Sequence, residues 1–195
     1  MVPTGTANTA SVLAAFRRLG ASPSMAVGVA QATSAERLVL PGVGSFGSAV
    51  AEVQRLGLRQ ALVERLREGR PTLAVCVGMQ LLARSSEESA DIAGLAVIDQ
   101  ELRRFPDSVR VPQLGWNRVA VEGNECRFVD DGWAYFANSF RMTEVPKGWN
   151  AALTDHGGTF VAALERGDVL ACQFHPELSG PWGSAVLARW LGREN

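Results

Sequence analysis

A cysteine stands at the sharpest turn that the sequence predicts, in Ala74-Val75-Cys76-Val77-Gly78. A strand-to-helix turn that presents a nucleophile requires small residues two positions before and after it, and Ala74 and Gly78 meet that requirement. The N-terminus of the following helix carries a partial positive charge, which favours a thiolate. Cys76 is therefore a candidate nucleophile. The alternative is a structural cysteine, since buried cysteines are commonly inert.

A histidine and a carboxylate lie two positions apart in the segment QFHPE at residues 173–177. Side chains two apart on an extended chain point to the same side, and the intervening proline disfavours a helix. Glu177 can therefore orient the imidazole of His175 and favour its charged form, as in a catalytic triad. The alternative is a surface ion pair, but the chain has only two histidines, which favours pairing of His175 with Cys76. The second, His156, lies in a predicted turn and is interpreted as a solvated loop residue.

The glycine-rich segment PGVGSFG at residues 41–47 contains a G-x-G-x-x-G spacing between a predicted strand and a predicted helix. That spacing is the fingerprint of a dinucleotide-binding loop, which also requires an acidic residue about 20 positions further on. Glu64 has that spacing, but it falls within a helical pattern. The segment is equally consistent with a loop whose backbone N–H groups face a developing oxyanion, or with a plain tight turn.

Composition excludes several other chemistries. The 195 residues carry a formal net charge of −1 and are 47% hydrophobic, which indicates one globular domain over residues 1–195 and no binding of nucleic acid. Two histidines argue against a histidine-rich metal site, and three cysteines without a C-x-x-C pair are typical of a reduced, cytoplasmic protein. No run of about 18 apolar residues and no signal-peptide pattern occurs, so no membrane association is expected.

Apolar periodicity predicts the elements that must position these residues. Helices are predicted at residues 9–19, 49–56, 58–66, 79–82 and 182–191, and strands at 25–30, 37–40, 72–76, 119–121, 133–136, 151–154, 160–164 and 169–174. Alternating strands and helices in the first half predict an α/β fold with a mostly parallel central sheet flanked by helices. Glycine-containing hairpin turns at 157–158 and 167–168 predict an antiparallel, β-rich C-terminal half.

Several segments in this order resemble class I glutamine amidotransferases, and among them the glutaminase subunits of imidazole glycerol phosphate synthase. They are LVLPGVGSFG at 38–47, CVGMQLL at 76–82, SSEES at 85–89, VPQLGWN at 111–117, YFANSF at 135–140 and QFHPELSG at 173–180. PGVGSFG together with GWN is specific to this subunit within the superfamily. The resemblance implies the class I amidotransferase fold and hydrolysis of L-glutamine to glutamate and ammonia. The ammonia would serve a synthase that makes imidazole glycerol phosphate and AICAR in histidine biosynthesis.

The same resemblance implies a role for each matching residue, and it implies neither a metal nor a cofactor. The catalytic residues are Cys76 as nucleophile, His175 as general base and acid, and Glu177 as orienting carboxylate. The substrate-binding residues are Gln80, Glu88 and Gly42. The oxyanion-binding residues are Val43, Gly44 and Val77. The residues that face a partner are Trp116, Asn117 and Tyr135. The implied partner is a (β/α)8-barrel cyclase subunit, in a heterodimer.

The chain departs from the family pattern at three places. Ala74 stands where the family usually has glycine, Asn138 where histidine is frequent, and residues 3–8 keep only Gly5 and Asn8 of an Asp-Tyr-Gly-x-Gly-Asn loop. The alternatives are the glutaminase subunit of pyridoxal phosphate synthase, a dinucleotide-binding module, and a non-catalytic relative that retains the fold. PGVGSFG and GWN argue against the first of these, and the intact triad argues against the last.

Overall fold

Helices and strands alternate in the first half of the chain, and strands dominate the second. The computed structural model describes residues 1–3, 9–26, 28–123 and 126–193. The helices in these ranges are α1 (Thr9–Arg18), α2 (Val29–Ser34), α3 (Phe46–Arg55), α4 (Arg59–Arg67), α5 (Val77–Gln80) and α6 (Gly180–Trp190). The strands are β1 (Leu38–Leu40), β2 (Thr72–Val75), β3 (Ala83–Ser86), β4 (Ile98–Arg104), β5 (Gln113–Val121), β6 (Gly132–Asn138), β7 (Phe140–Arg141), β8 (Asn150–Asp155), β9 (Thr159–Arg166) and β10 (Val169–Cys172). Single turns of 3-10 helix lie at Glu87–Ser89 and Pro176–Leu178.

The main sheet joins a parallel section to an antiparallel one, in the strand order β1-β2-β10-β9-β8-β5-β6. β2 pairs in parallel with β1 and with β10, and the remaining described pairs of this sheet are antiparallel. The α/β fold with an antiparallel C-terminal half is confirmed. Within this sheet, parallel pairing among the described strands is limited to β1, β2 and β10, because β8, β9 and β10 follow one another through tight turns, which permit only antiparallel neighbours. A smaller sheet has the order β3-β4-β7.

The apolar core fixes the end of β2. Both β2 and β10 are buried along their whole length, as expected for strands that are covered on both faces. Helix α3 contributes an apolar face made of Phe46, Ala49, Val50 and Val53, whose spacing places them on one side of a helix. The described buried apolar side chains, apart from Ala188, form one cluster. Because β2 lies between two paired neighbours, the residue that follows it is held in a defined position.

Most predicted elements are confirmed, but the strand predicted at residues 25–30 is wrong, because α2 begins within it at Val29. Alanine and glutamine follow Val29, and both favour a helix. Val27, Gly5 and Asn8, on which other predictions rested, lie outside the described residues. No helix in the described ranges combines the length and the apolar character that crossing a membrane requires.

Candidate active site

Cys76 occupies a strained turn between β2 and α5. Its backbone has φ 53° and ψ −113°, a conformation that residues with a side chain rarely adopt. The Cys76 N–H donates to the carbonyl of Cys172 at 2.7 Å, so pairing with the neighbouring chain continues to the residue at the turn. The abrupt change of direction at Cys76 presents its side chain at the carboxyl end of the parallel strands, as in a nucleophile elbow.

Two glycines allow the loop after β1 to lie directly against this turn. A Cβ atom on Gly42 would lie 2.5 Å from the backbone nitrogen of Gly78 and 2.7 Å from Cβ of Val77. A Cβ atom on Gly78 would lie 2.0 Å from the carbonyl oxygen of Leu40. Such distances are too short for a side chain at either position. Gly44 has φ 94°, in the left-handed region that favours glycine, so the loop requires glycine for its shape as well as for its contacts.

His175 and Glu177 reach the site from the end of β10. Nδ1 of His175 donates to Oε1 of Glu177 at 2.9 Å, and both side chains are almost completely buried. Burial alone would lower the pKa of His175, but hydrogen bonds to Cys76 and Glu177, with the charges of both groups, outweigh it and raise the pKa to about 10. The ring is therefore protonated near neutral pH and lies beside Cys76 as an imidazolium.

The backbone of the His175 segment is fixed by β6 and by a serine. The His175 N–H donates to the carbonyl of Tyr135 at 2.9 Å. The Ser179 hydroxyl donates to the carbonyl of His175 at 2.6 Å and accepts the N–H of Tyr135 at 3.0 Å. Sequence analysis did not identify this role of Ser179; the only available signal was its place within QFHPELSG. These bonds hold the histidine in place relative to the sheet.

A pocket of about 180 Å³ lies beside the cysteine. The predicted site residues that line it are Val43, Gly44, Cys76, Val77, Gln80, Glu88 and His175. Residues 137–140 complete the lining, and Asn138 lies among them. Glu177 and Gly42 are not lining residues: the first lies behind His175, and the second is packed against the Cys76 turn.

A larger cavity of about 540 Å³ lies elsewhere, around Met1, Arg37 and Trp190. It is located at the amino-terminal end of β1 and contains none of the predicted site residues. The smaller pocket is the candidate active site because it joins a nucleophile to a base. Among the described residues, no group of three or more His, Cys, Asp or Glu side chains is placed to hold a metal ion.

Gln80 and Glu88 offer acceptor oxygens to the pocket. The amide nitrogen of Gln80 donates to Oε1 of Gln173 at 3.1 Å and to the carbonyl of Phe140 at 3.3 Å. Both of its hydrogens are therefore used, and its Oε1 remains available as an acceptor. Glu88 accepts the N–H of Phe46 at 2.6 Å, which anchors its carboxylate to the first residue of α3. A neutral acceptor and a carboxylate in one pocket are suited to binding an amino group.

The first residue of α5 provides a candidate oxyanion donor. The N–H of Val77 follows the nucleophile at a helix N-terminus, where N–H groups have no partner within the helix. Val43 and Gly44 line the same pocket. Backbone N–H groups at such positions can stabilise the negative charge that develops when a thiolate attacks a carbonyl.

The three residues predicted to face a partner lie on β5 and β6, and they differ in exposure. Trp116 is 55% exposed, and its ring lies edge-on to Tyr135 with 6.3 Å between the centroids. Tyr135 is half-buried, and its carbonyl binds the backbone of His175. The side-chain nitrogen of Asn117 donates to the carbonyl of Asp155 at 2.7 Å. Trp116 is therefore the residue of the three that is most available to another molecule.

Sequence analysis missed two exposed apolar residues on the same face of these strands. Leu114 and Trp133 are each 58% exposed. In the register of β5 and β6, Trp116 is opposite Tyr135 and Arg118 is opposite Trp133, so these side chains share one face. We refer to Leu114, Trp116, Trp133 and Tyr135 as the β5–β6 face. The alternation of large and polar residues along β5 was the signal that could have identified it.

The second histidine lies away from the pocket. Nε2 of His156 is 2.8 Å from the carbonyl of Arg110, and its ring packs edge-on to Phe105. His156 is half-buried, so its contacts with the fold are more extensive than a solvated loop residue would have. Its position leaves His175 as the histidine beside the candidate nucleophile.

Known proteins are similar to this chain in sequence and in fold. The glutamine amidotransferase class-I family model matches residues 5–192. The chain is 37% identical to the imidazole glycerol phosphate synthase subunit HisH of Symbiobacterium thermophilum, over 97% of this chain and 91% of that protein. It is 38% identical to the chloroplastic imidazole glycerol phosphate synthase hisHF of Arabidopsis thaliana, over 96% of this chain and 33% of that longer protein. A crystal structure of a glutamine amidotransferase superposes with a TM-score of 0.76 at 20% identity, covering 98% of this chain and 96% of that one.

Proposed function

The chain belongs to the class I glutamine amidotransferase family, among the HisH subunits of imidazole glycerol phosphate synthase, and from this premise we propose that it hydrolyses L-glutamine at Cys76 and delivers the ammonia to a cyclase partner in histidine biosynthesis. The observation that carries the proposal is the buried set of Cys76, His175 and Glu177 beside a pocket of about 180 Å³. A pocket of that size accommodates a free amino acid.

The first chemical step forms a bond between the sulfur and the substrate. The Cys76 thiolate, paired with protonated His175, attacks the side-chain carbonyl carbon of glutamine. The carbonyl electron pair moves to oxygen and gives a tetrahedral oxyanion. The N–H of Val77 and the Val43-Gly44 turn donate to this oxygen, where the charge is greater than in the bound amide.

The following steps release ammonia and then glutamate. His175 gives its proton to the amide nitrogen, the C–N bond breaks, and ammonia leaves a thioester on Cys76. Neutral His175 then removes a proton from water as its oxygen attacks the thioester. The C–S bond breaks, glutamate departs with loss of its acidic proton to solvent, and the thiolate and imidazolium are restored. Glu177 accepts the Nδ1–H of the ring and holds its orientation throughout.

Recognition of free glutamine is assigned to the two polar residues of the pocket. The carboxylate of Glu88 pairs with the α-amino group, and the free Oε1 of Gln80 accepts a hydrogen bond from the substrate. Because Glu88 is anchored on Phe46 N–H at 2.6 Å, substrate binding also involves the start of α3 and the loop that precedes it. This arrangement selects for a free amino acid, since a peptide-bonded glutamine lacks the charged amino group.

The β5–β6 face is the proposed docking surface for the cyclase. Its Leu114, Trp116 and Trp133 are each more than half exposed, and exposed apolar patches with tryptophan are typical of protein interfaces. The face adjoins the active site, because Tyr135 binds the backbone of His175. The relative from Symbiobacterium thermophilum is named as a synthase subunit, which supports a second subunit here. We propose a heterodimer with a (β/α)8-barrel cyclase, which receives ammonia before bulk water protonates it.

The proposal includes one amidotransferase domain over residues 1–195 and a cytoplasmic location. The family match extends over residues 5–192, and the described apolar core is one cluster. Cys76, Cys126 and Cys172, which all lie within the described residues, form no disulfide, as is usual in a reducing compartment.

Glutamate release in the presence and absence of the cyclase tests the function. The purified chain is mixed with the cyclase from the same organism, with and without the cyclase ligand. We expect glutaminase activity to rise by about tenfold or more, equivalent to about 1.4 kcal/mol of barrier. Absence of glutamate release from the complex, or full activity of the chain alone that the cyclase leaves unchanged, would contradict the proposal.

The docking surface has its own test. Trp116→Ala should weaken co-purification with the cyclase, because a large exposed aromatic residue at the centre of an interface contributes strongly to binding. Val29→Ala is the control, since Val29 is 45% exposed and lies on α2, away from the β5–β6 face. Equal retention of both variants on the cyclase would place the interface elsewhere.

A further inference from the structure

Gln173 lies behind the nucleophile, where the proposed mechanism gives it no part. It is 1% exposed and directly follows β10. Its backbone N–H donates to the carbonyl of Ala162 on β9 at 2.8 Å, which fixes the position of Gln173 beside that strand. A long polar side chain without solvent requires partners within the protein, so the contacts of this amide indicate what it does.

The amide of Gln173 makes two directional contacts. Its Nε2 donates to Sγ of Cys76 at 3.7 Å, and its Oε1 accepts from Nε2 of Gln80 at 3.1 Å. The opposite orientation of the amide would place two NH2 groups against each other and turn an oxygen towards the sulfur. The contact with Gln80 therefore determines that the donor of Gln173 faces Cys76.

We infer that Gln173 is a positioning residue for the nucleophile, which donates to the Cys76 thiolate and holds it in line with His175. Cys76 is 3% exposed, so water supplies little stabilisation to a negative sulfur, and donors from the protein must replace it. Through its second contact, Gln173 also ties the sulfur to Gln80, on the wall of the substrate pocket. The role in catalysis rests on the proposed glutaminase function, whereas the hydrogen bond to sulfur is testable without glutamine.

A purely structural role would account for the burial of Gln173, but not for the orientation of its amide, whose NH2 group faces Cys76. An apolar side chain of similar length would fill the space without leaving a buried amide to satisfy. The amide contributes instead a donor to the sulfur and an acceptor to Gln80. These two contributions predict different effects on the reactivity of Cys76 and on the binding of substrate, which variants can separate.

The test compares alkylation of Cys76 by iodoacetamide in the full-length wild-type chain and in Gln173→Glu. The variant keeps the shape and the acceptor for Gln80, but it replaces the donor to sulfur with a carboxylate oxygen. We expect the second-order rate constant for alkylation of Cys76, measured by mass spectrometry, to fall by about tenfold or more, as loss of a hydrogen bond to a charged group predicts. In the glutaminase assay, kcat should fall with it while KM changes little.

Two further variants separate positioning from general disturbance. Glu165→Gln makes the reverse exchange at a buried position of β9 and should leave the Cys76 rate unchanged. Gln173→Met removes the donor without adding a charge, and it should also lower the rate of alkylation of Cys76, by a smaller factor than Gln173→Glu does. If Gln173→Glu fails to fold, Gln173→Met tests the role of the Gln173 donor in its place.

The outcomes distinguish the inference from the proposed function. An unchanged rate at Cys76 in a folded Gln173 variant, or an equal loss in Glu165→Gln, would overturn the role of Gln173. Slower alkylation in the Gln173 variants, combined with no glutamate release by the wild type in its complex, would support the hydrogen bond and reject the glutaminase function.

Discussion

Two buried carboxylates, Glu165 and Glu177, differ in role. The first stabilises the fold, and the second orients a group of the candidate active site. Glu165 accepts three backbone N–H groups, those of Arg127, Phe128 and Val129, at 2.7, 3.0 and 3.0 Å. Glu177 accepts from His175, and its Oε2 has no partner among the described residues. The first carboxylate is saturated and closes a loop against β9. The second is left with one partner, which is a ring that can exchange a proton.

Two neighbouring cysteines show the same contrast. Burial raises the pKa of the Cys172 thiol well above its usual value, and the negative charges of Glu165 and Glu177 add to the effect. Cys76 is also buried, but a histidine and the Gln173 amide face its sulfur. Depth in the fold therefore does not decide whether a thiol reacts. The donors and charges around the sulfur decide it, and we expect a glutamine-like electrophile to label Cys76 and not Cys172.

The largest expected effect is loss of the nucleophile or the base. Cys76→Ala and His175→Ala should each lower kcat/KM for glutamine by a factor of about 10⁴ or more, because triad members act as a unit. Circular dichroism should show the fold retained. His156→Ala is the control, and a larger loss in that variant than in His175→Ala would mean that the triad is wrongly assigned.

Exchange of each carboxylate for its amide is the direct test of the comparison. Glu177→Gln should lower kcat by a smaller factor than removal of the nucleophile does, because it affects the orientation and charge of His175 and removes no proton-transfer group.

Glu165→Gln should have the opposite profile. The new NH2 group would face the Arg127 N–H, donor against donor, and the free energy of unfolding should fall by about 1 to 2 kcal/mol. Glutamate release should stay at the wild-type level. Chemical denaturation and the glutaminase assay are applied to both variants. Loss of activity in Glu165→Gln, together with loss of stability alone in Glu177→Gln, would contradict the roles assigned to the two carboxylates.

The sequence predicted the elements that carry the triad better than those that surround it. β4 was missed because its sequence, IDQELRR, buries only Ile98 and Leu102, and a spacing of four residues fits a helix as well as a strand. β5 begins six residues before the predicted start at residue 119. Its first half exposes the apolar residues Leu114 and Trp116, so the apolar residues there do not mark the buried face of the strand.

Short-range motifs predicted the candidate site, but its long-range contacts had no counterpart in the sequence. The Cys76 turn and the His175-x-Glu177 spacing are local patterns, and the structure brings these residues together. The contact of Gln173 with Cys76 joins positions 97 residues apart. Its direction depends on the amide of Gln80, which no periodicity reveals. The same holds for Glu88, whose bond to Phe46 N–H spans 42 residues.

Glu88 extends the comparison to a third carboxylate. It accepts the Phe46 N–H through Oε2 and lines the pocket, so it resembles Glu177 more than the saturated Glu165. Glu88→Gln should raise KM for glutamine by about tenfold, as loss of a hydrogen-bonded charge predicts, with a smaller change in kcat because the contact is already made in the ground state. Steady-state kinetics of the complex measure this, and an unchanged KM would remove Glu88 from substrate binding.

The stability of the protein should also depend on pH, and this dependence arises from the proton on His175. Hydrogen bonds to Cys76 and Glu177, with the charges of both, overcome burial and raise the pKa of His175 from 6.5 to about 10. Because the folded state binds this proton more tightly than the unfolded state, the stabilisation is complete below the unfolded pKa and is lost as the pH rises through the folded pKa. The difference in unfolding free energy between the wild type and His175→Gln should therefore narrow as the pH rises from about 6.5 to about 10. Urea denaturation across this range measures the difference. In a Glu177→Gln background, the pH range over which the difference narrows should be smaller, since one cause of the raised pKa of His175 is gone. A difference that stays constant over the whole range would show that the ring of His175 is not held in its charged form.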